Sequence, residues 1–87
     1  MKKVLVTGGS RGIGAATVRA FAARGDKVFF LYEKEHDAAQ GISRETGSTA
    51  ICCDVADYRA VTDAMQTVGD VDILVCNAGI CISGLLQ

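Results

Sequence analysis

The hydrophobic residues of this 87-residue chain alternate between two kinds of segment. Short continuous apolar runs give way to longer stretches in which apolar residues recur three and four positions apart. Lys3 to Thr7, Lys27 to Tyr32, Thr49 to Cys53 and Val71 to Cys76 are of the first kind and predict strands. Gly12 to Arg24, Glu35 to Thr46 and the stretch from Asp57 to Val68 are of the second kind and predict helices. In the first helix Ile13, Ala16, Thr17, Ala20 and Phe21 share one face. In the third, Val61, Ala64, Met65 and Val68 do so, with Asp57 as the N-cap. Gly25, Gly47 and Gly69 follow the three helices, where a left-handed terminal residue is cheap only for glycine. Residues 77–87 read as loop.

The element order is therefore β-α-β-α-β-α-β. Strict alternation with short connections implies an α/β fold with a parallel sheet and right-handed crossovers. The strands are continuous apolar runs, which fits burial on both faces. Proline is absent and no linker or repeat interrupts the chain, so residues 1–87 read as part of one domain.

Composition narrows the picture. Hydrophobic residues make up 49% of the chain, enough for a core and too many for disorder. The net charge is −1 with no basic block, so nucleic acid is not an expected partner. Only Val4-Leu5-Val6 follow Lys2 and Lys3 before the first glycines, too short for a secretion signal. No stretch is long enough to span a membrane, and a cytoplasmic location is expected. The four cysteines form no CxxC pair. Cys52, Cys53 and Cys76 lie in strand-like runs and are expected as small core hydrophobes, while Cys81 lies in the terminal loop.

The chemistry concentrates in Thr7-Gly8-Gly9-Ser10-Arg11-Gly12-Ile13-Gly14, between the first strand and the first helix. Gly8 allows a sharp turn out of the strand. Gly12 lets backbone approach a phosphate with no Cβ between them, and Gly14 lets the helix pack close to the sheet. The free N–H groups and dipole of the helix start then favour an anion such as a pyrophosphate.

The spacing T-G-x-x-x-G-x-G is joined by Asp54-Val55 after the third strand and Asn77-Ala78-Gly79 after the fourth. Together they resemble the short-chain dehydrogenase/reductase family, in particular its 3-oxoacyl-ACP reductase-like members. The likeness runs over essentially all 87 residues. It implies a Rossmann-like doubly wound sheet of order 3-2-1-4 that stops after the fourth strand. It also implies cofactor-binding roles. Asp54 and Val55 would meet the adenine, and Asn77, Ala78 and Gly79 would lie beneath the adenosine ribose. Gly8, Ser10, Arg11, Gly12, Ile13 and Gly14 form the phosphate loop.

The cofactor choice rests on the end of the second strand. An NAD site places an acid there, about 20 residues past the glycines, to accept from the ribose 2′-OH. Tyr32 stands at that point, 18 residues after Gly14. It cannot repel a 2′-phosphate, Arg11 is placed to bind one, and Ser10 adds a hydroxyl donor. Glu33 argues the other way and Lys34 offsets it. NADP(H) is favoured, with NAD(H) left open.

The resemblance places catalysis in a Y-x-x-x-K helix and an upstream Ser, with the Tyr moving the substrate proton as hydride passes to or from nicotinamide. Neither tyrosine of this chain fits. Tyr58 is followed by Arg59-Ala60-Val61-Thr62, and Tyr32 by Glu33-Lys34-Glu35-His36. No catalytic residue is assigned. His36 reads as a solvated surface residue, and Asp70 and Asp72 flank a strand start, where turns commonly use acids. Val71 to Cys76 is very apolar for an edge strand, so self-association along it is expected. The family resemblance implies homo-oligomers for full-length members. The chain is expected to be an N-terminal part of an oxidoreductase, or else a non-catalytic nucleotide-binding or interaction module.

Overall fold

A computed structural model describes residues 1–8, 12–54 and 56–76. The strands are β1 (Lys3–Thr7), β2 (Lys27–Tyr32), β3 (Thr49–Cys52) and β4 (Ile73–Cys76), with helices α1 (Gly12–Ala23), α2 (His36–Thr46) and α3 (Tyr58–Val68) between them. The four strands form one sheet in the order β3-β2-β1-β4, and all three pairings are parallel. This is the expected doubly wound arrangement.

Strand alternation sorts the core into two layers. Val4, Val6, Val28, Phe30 and Tyr32 point to one face and pack with Ala15 and Val18 of α1 and Ala39 and Ile42 of α2. Leu5, Phe29 and Leu31 point to the other and pack with Val61, Ala64 and Val68 of α3. The connection from β1 to β2 thus lies on one face, and that from β3 to β4 on the other. The order reverses between β1 and β4, the switch point outside which such sheets bind ligands.

Two aspartates hold the entry of β1. Asp26 Oδ1 accepts from the Lys2 N–H at 3.1 Å, and Asp72 Oδ2 accepts from the Lys3 N–H at 2.8 Å. Backbone bonds flank both, from Lys27 N–H to Lys2 O at 2.8 Å and from Asp72 N–H to Lys3 O at 2.9 Å. Lys3 Nζ reaches across to Val68 O at 2.7 Å and satisfies a terminal carbonyl of α3, where a cation also suits the helix dipole. Asp72 is therefore more than the turn former its sequence context suggests.

The inner face of α1 differs from expectation. Gly14, Ala15 and Val18 are buried, whereas Ala16 and Ala20 are exposed and Ile13 is 78% exposed. Thr17 and Phe21 are half-buried. The helix is apolar nearly all round, so its periodicity does not select a face. The sheet selects the narrow stripe of small residues that allows close approach. α3, with one clearly apolar face, buries Val61, Ala64 and Val68 as expected and leaves Met65 half-buried.

Four boundaries move by one or two residues. α1 stops at Ala23, α2 starts at His36 with Glu35 as N-cap, β3 stops at Cys52 and β4 starts at Ile73. End residues are decided by which backbone bonds close, which composition does not reveal. Asp57 caps α3 as expected, accepting from the N–H groups of Arg59 at 3.0 Å and Ala60 at 3.3 Å. Gly25, Gly47 and Gly69 all have positive φ. Of the cysteines, Cys53 is buried and Cys76 half-buried, but Cys52 is exposed because β3 is a short edge strand. Cys81 lies outside the described residues.

Replacing Asp72 by Ala removes the acceptor for the Lys3 N–H at the entry of the central strand. A loss of about 1–2 kcal/mol in unfolding free energy is expected, read from urea denaturation with an unchanged slope.

Candidate functional site

The carboxyl ends of the strands meet the start of α1 at one edge of the sheet. Val4, Leu5 and Val6 are wholly buried, so β1 delivers Gly8 to this edge from a rigid base. Gly8 extends the ladder by donating to Leu31 O at 3.0 Å, then turns with φ 69°. Gly12, at the first position of α1, has φ 63°. A Cβ built on Gly12 meets nothing within 4 Å. The constraint there is backbone conformation, and the space a side chain would take stays open. Gly14 is buried in the contact between α1 and the sheet. Ile13 beside it presents a bare apolar side chain at the same helix start.

A cavity of about 410 Å³ opens beside Gly12 between α1 and α2, with Ala15, Ala38, Gly41 and Ile42 among its walls. Its far end is crossed by an ion pair, Arg19 Nε to Glu45 Oε2 at 2.6 Å and Arg19 Nη2 to Glu45 Oε1 at 3.3 Å. Both side chains are half exposed, so this pair contributes little to stability.

Tyr32 ends β2 at this edge, but its side chain is a core residue at 7% exposure. Its hydroxyl lies 3.0 Å from His36 Nδ1. The two rings meet edge to face, with centroids 5.2 Å apart and planes at 85°. His36 is exposed, as the sequence suggests, but it is held rather than free. The missed signal was spacing: a residue at the first position of a helix can reach back to the strand end four residues earlier.

Asp54 follows β3 and is exposed. Its Oδ1 accepts from the Ala56 N–H at 2.9 Å, and its carbonyl accepts from the Asp57 N–H at 2.9 Å. Asp54 therefore forms the turn that follows β3. Ser10, Arg11, Val55, Asn77, Ala78 and Gly79 lie outside the described residues.

The neighbouring thiols differ in character. Burial pushes the Cys53 thiol above its ordinary value, and the charges of Asp54, Asp57 and Cys52 push the same way. Cys52 is exposed, with its Sγ 3.6 Å from Glu33 O. Among the described residues no cluster of His, Cys, Asp or Glu could hold a metal ion, and no helix is long and apolar enough to cross a membrane.

A short-chain dehydrogenase family model matches residues 2–87, and the chain belongs to that family. A cyclic-di-GMP-binding biofilm dispersal mediator protein of Escherichia coli K12 is 52% identical over 95% of this chain and 35% of its own length. The crystal structure of BdcA in complex with NADPH superposes with a TM-score of 0.85 at 52% identity, covering 93% of this chain and 33% of that one. A short-chain dehydrogenase from Burkholderia cenocepacia J2315 in complex with NADP gives 0.80 at 45% identity, covering 91% and 36%. The chain thus spans about a third of the length of these relatives and corresponds to their N-terminal Rossmann portion.

Buried Cys53, with its raised thiol, should resist alkylation in the native chain while exposed Cys52 reacts. Iodoacetamide labelling at pH 8, followed by peptide mass spectrometry, is expected to modify Cys52 well before Cys53. Unfolding in urea should remove the difference.

Proposed function

We propose that this chain forms the NADP(H)-binding part of a short-chain oxidoreductase that moves hydride between a nicotinamide and a carbonyl or alcohol. The observation that carries this reading is the glycine turn: Gly8 and Gly12, both at positive φ, open onto the carboxyl edge of a doubly wound sheet. Relatives bearing NADPH or NADP share that fold closely.

In this reading the backbone around Gly8, Gly12 and Gly14 receives the pyrophosphate at the start of α1. Ile13 offers apolar contact. Ser10 and Arg11 meet the 2′-phosphate, with Tyr32 beneath that end of the site. Asp54 and Val55 border the adenine, and Asn77, Ala78 and Gly79 the adenosine ribose. When bound, the nicotinamide supplies hydride chemistry. This chain's residues bind and orient it, and a Y-x-x-x-K helix must supply the proton transfer. The reading takes residues 1–87 as one domain portion and a reducing cytoplasmic setting, where Cys52, Cys53 and Cys76 stay as thiols. It also includes pairing of copies along β4, an apolar edge strand that stays half-buried along its length.

A second reading has a specific observation behind it. The Escherichia coli relative is named for binding cyclic-di-GMP, which makes a nucleotide-sensing module without catalysis an alternative. Titration of the chain with NADPH and with cyclic-di-GMP separates the two. Saturable binding of NADPH with no response to cyclic-di-GMP supports the oxidoreductase reading, and the reverse supports the sensor.

Arg11→Ala addresses the cofactor choice. Loss of one charge-assisted bond to a 2′-phosphate should weaken NADPH binding about tenfold or more and leave NADH binding nearly unchanged. Calorimetry or the fluorescence of the reduced nicotinamide reads both. Equal losses would remove Arg11 from the 2′ site.

A further inference from the structure

We propose that the cleft between α1 and α2 binds a free amino acid with an apolar side chain, Arg19 taking its carboxylate and Glu45 its ammonium group. The inference goes beyond the NADP(H) reading and does not depend on it.

Helical spacing builds the cleft. Ala15 and Arg19 lie four apart on α1, and Ala38, Gly41, Ile42 and Glu45 recur three and four apart on the facing side of α2. Helices in contact normally fill such space with interlocking side chains. Here small residues leave a cavity of about 410 Å³, the size of a small-molecule pocket. Gly41 is the residue the fold does not account for. Its φ is not positive, so backbone conformation does not require glycine. A Cβ built there meets nothing within 4 Å, so packing does not require it either. Glycine inside a helix costs stability relative to alanine. What the bare backbone of Gly41 provides is close approach for a molecule entering the cleft.

The charges at the far end of the cleft select the ligand. Arg19 and Glu45 meet side by side through two bonds, and among the described residues neither side chain has another partner. Those bonds use two of the five guanidinium N–H groups and one acceptor site on each carboxylate oxygen. Three donors and the outer lone pairs remain, and half of each side chain is open to water. A cation and a carboxylate thus stand next to each other, as the two charged groups of an α-amino acid do. A docked amino acid completes an alternating ring of four charges, its carboxylate on Arg19 and its ammonium on Glu45. Its side chain then lies over Gly41 against Ala15, Ala38 and Ile42, an apolar wall in which Ala15 and Ile42 are already buried. The end of a peptide chain carries only one of the two charges and cannot close the ring.

Titration of the isotope-labelled intact chain with L-leucine, followed through its amide NMR shifts, tests the proposal. Saturable shifts at Ala38 and Gly41 with millimolar affinity are expected, since charges exposed to water bind weakly. N-acetyl-L-leucine lacks the ammonium and L-leucinamide the carboxylate, and each should bind about tenfold more weakly or worse. L-Aspartate should also bind more weakly, because its side chain brings a carboxylate against an apolar wall. Arg19→Gln and Glu45→Gln should each weaken L-leucine about tenfold or more. Gly41→Leu fills the cleft and should abolish binding while the melting temperature holds or rises, because its Cβ displaces nothing. Ala38→Leu fills the same space from the preceding turn of α2 and should abolish binding too. No saturable shift with L-leucine, equal binding of L-leucinamide, or native affinity in either charge variant or in both filled variants overturns the proposal.

Discussion

Burial of β1 on both faces is the constraint on which the rest of the structure depends. A strand with paired neighbours on each side and Val4, Leu5 and Val6 wholly buried must be covered above and below. One helix layer cannot do this, so α1 and α2 take one face and α3 the other. That division requires the chain to cross from one edge of the sheet to the other side of β1, which creates the switch point at the carboxyl end of β1. The ligand-binding geometry is thus a consequence of covering a two-sided apolar strand.

The same constraint explains why the entry of β1 is tied so firmly. Parallel strands have no hairpin to set their register, so local contacts must do it. Asp26 secures the β2 side, Asp72 the β4 side, and Lys3 links the strand to the end of α3. These bonds lie at the opposite end of the sheet from the glycines. Stability and ligand chemistry are therefore separated along the length of β1, and the turn at Gly8 and Gly12 is free to adopt conformations that serve a ligand.

Much of this was legible in the residues. Glycines after a buried strand and before a helix, with Asp54 and Asn77-Ala78-Gly79 at later strand ends, specify both a topology and a family. α3 declared its buried face because polar residues occupy the other side. α1 did not, since apolar residues surround it and the sheet alone chose Gly14, Ala15 and Val18. Cys52 looked like a core residue because its run is apolar, yet an edge strand of four residues leaves its end uncovered. The position of the second strand end pointed to Tyr32, and charge within the glycine loop to Arg11, for the ribose. Neither gave any sign that the Tyr32 hydroxyl is already engaged.

By itself the sequence determined element type, order and the glycine turn, because periodicity, caps and positive φ are local properties of few residues. It also determined family membership, through motifs whose spacing survives without knowledge of contacts. Tertiary structure decided which side of an all-apolar helix is buried, which strand-end residues remain exposed, and which polar atoms meet. Those outcomes depend on atoms far apart in the chain. Asp72 closing on Lys3, 69 residues away, comes from the way β4 is laid against β1, whereas His36 meets Tyr32 over only four residues, where α2 begins beside the end of β2.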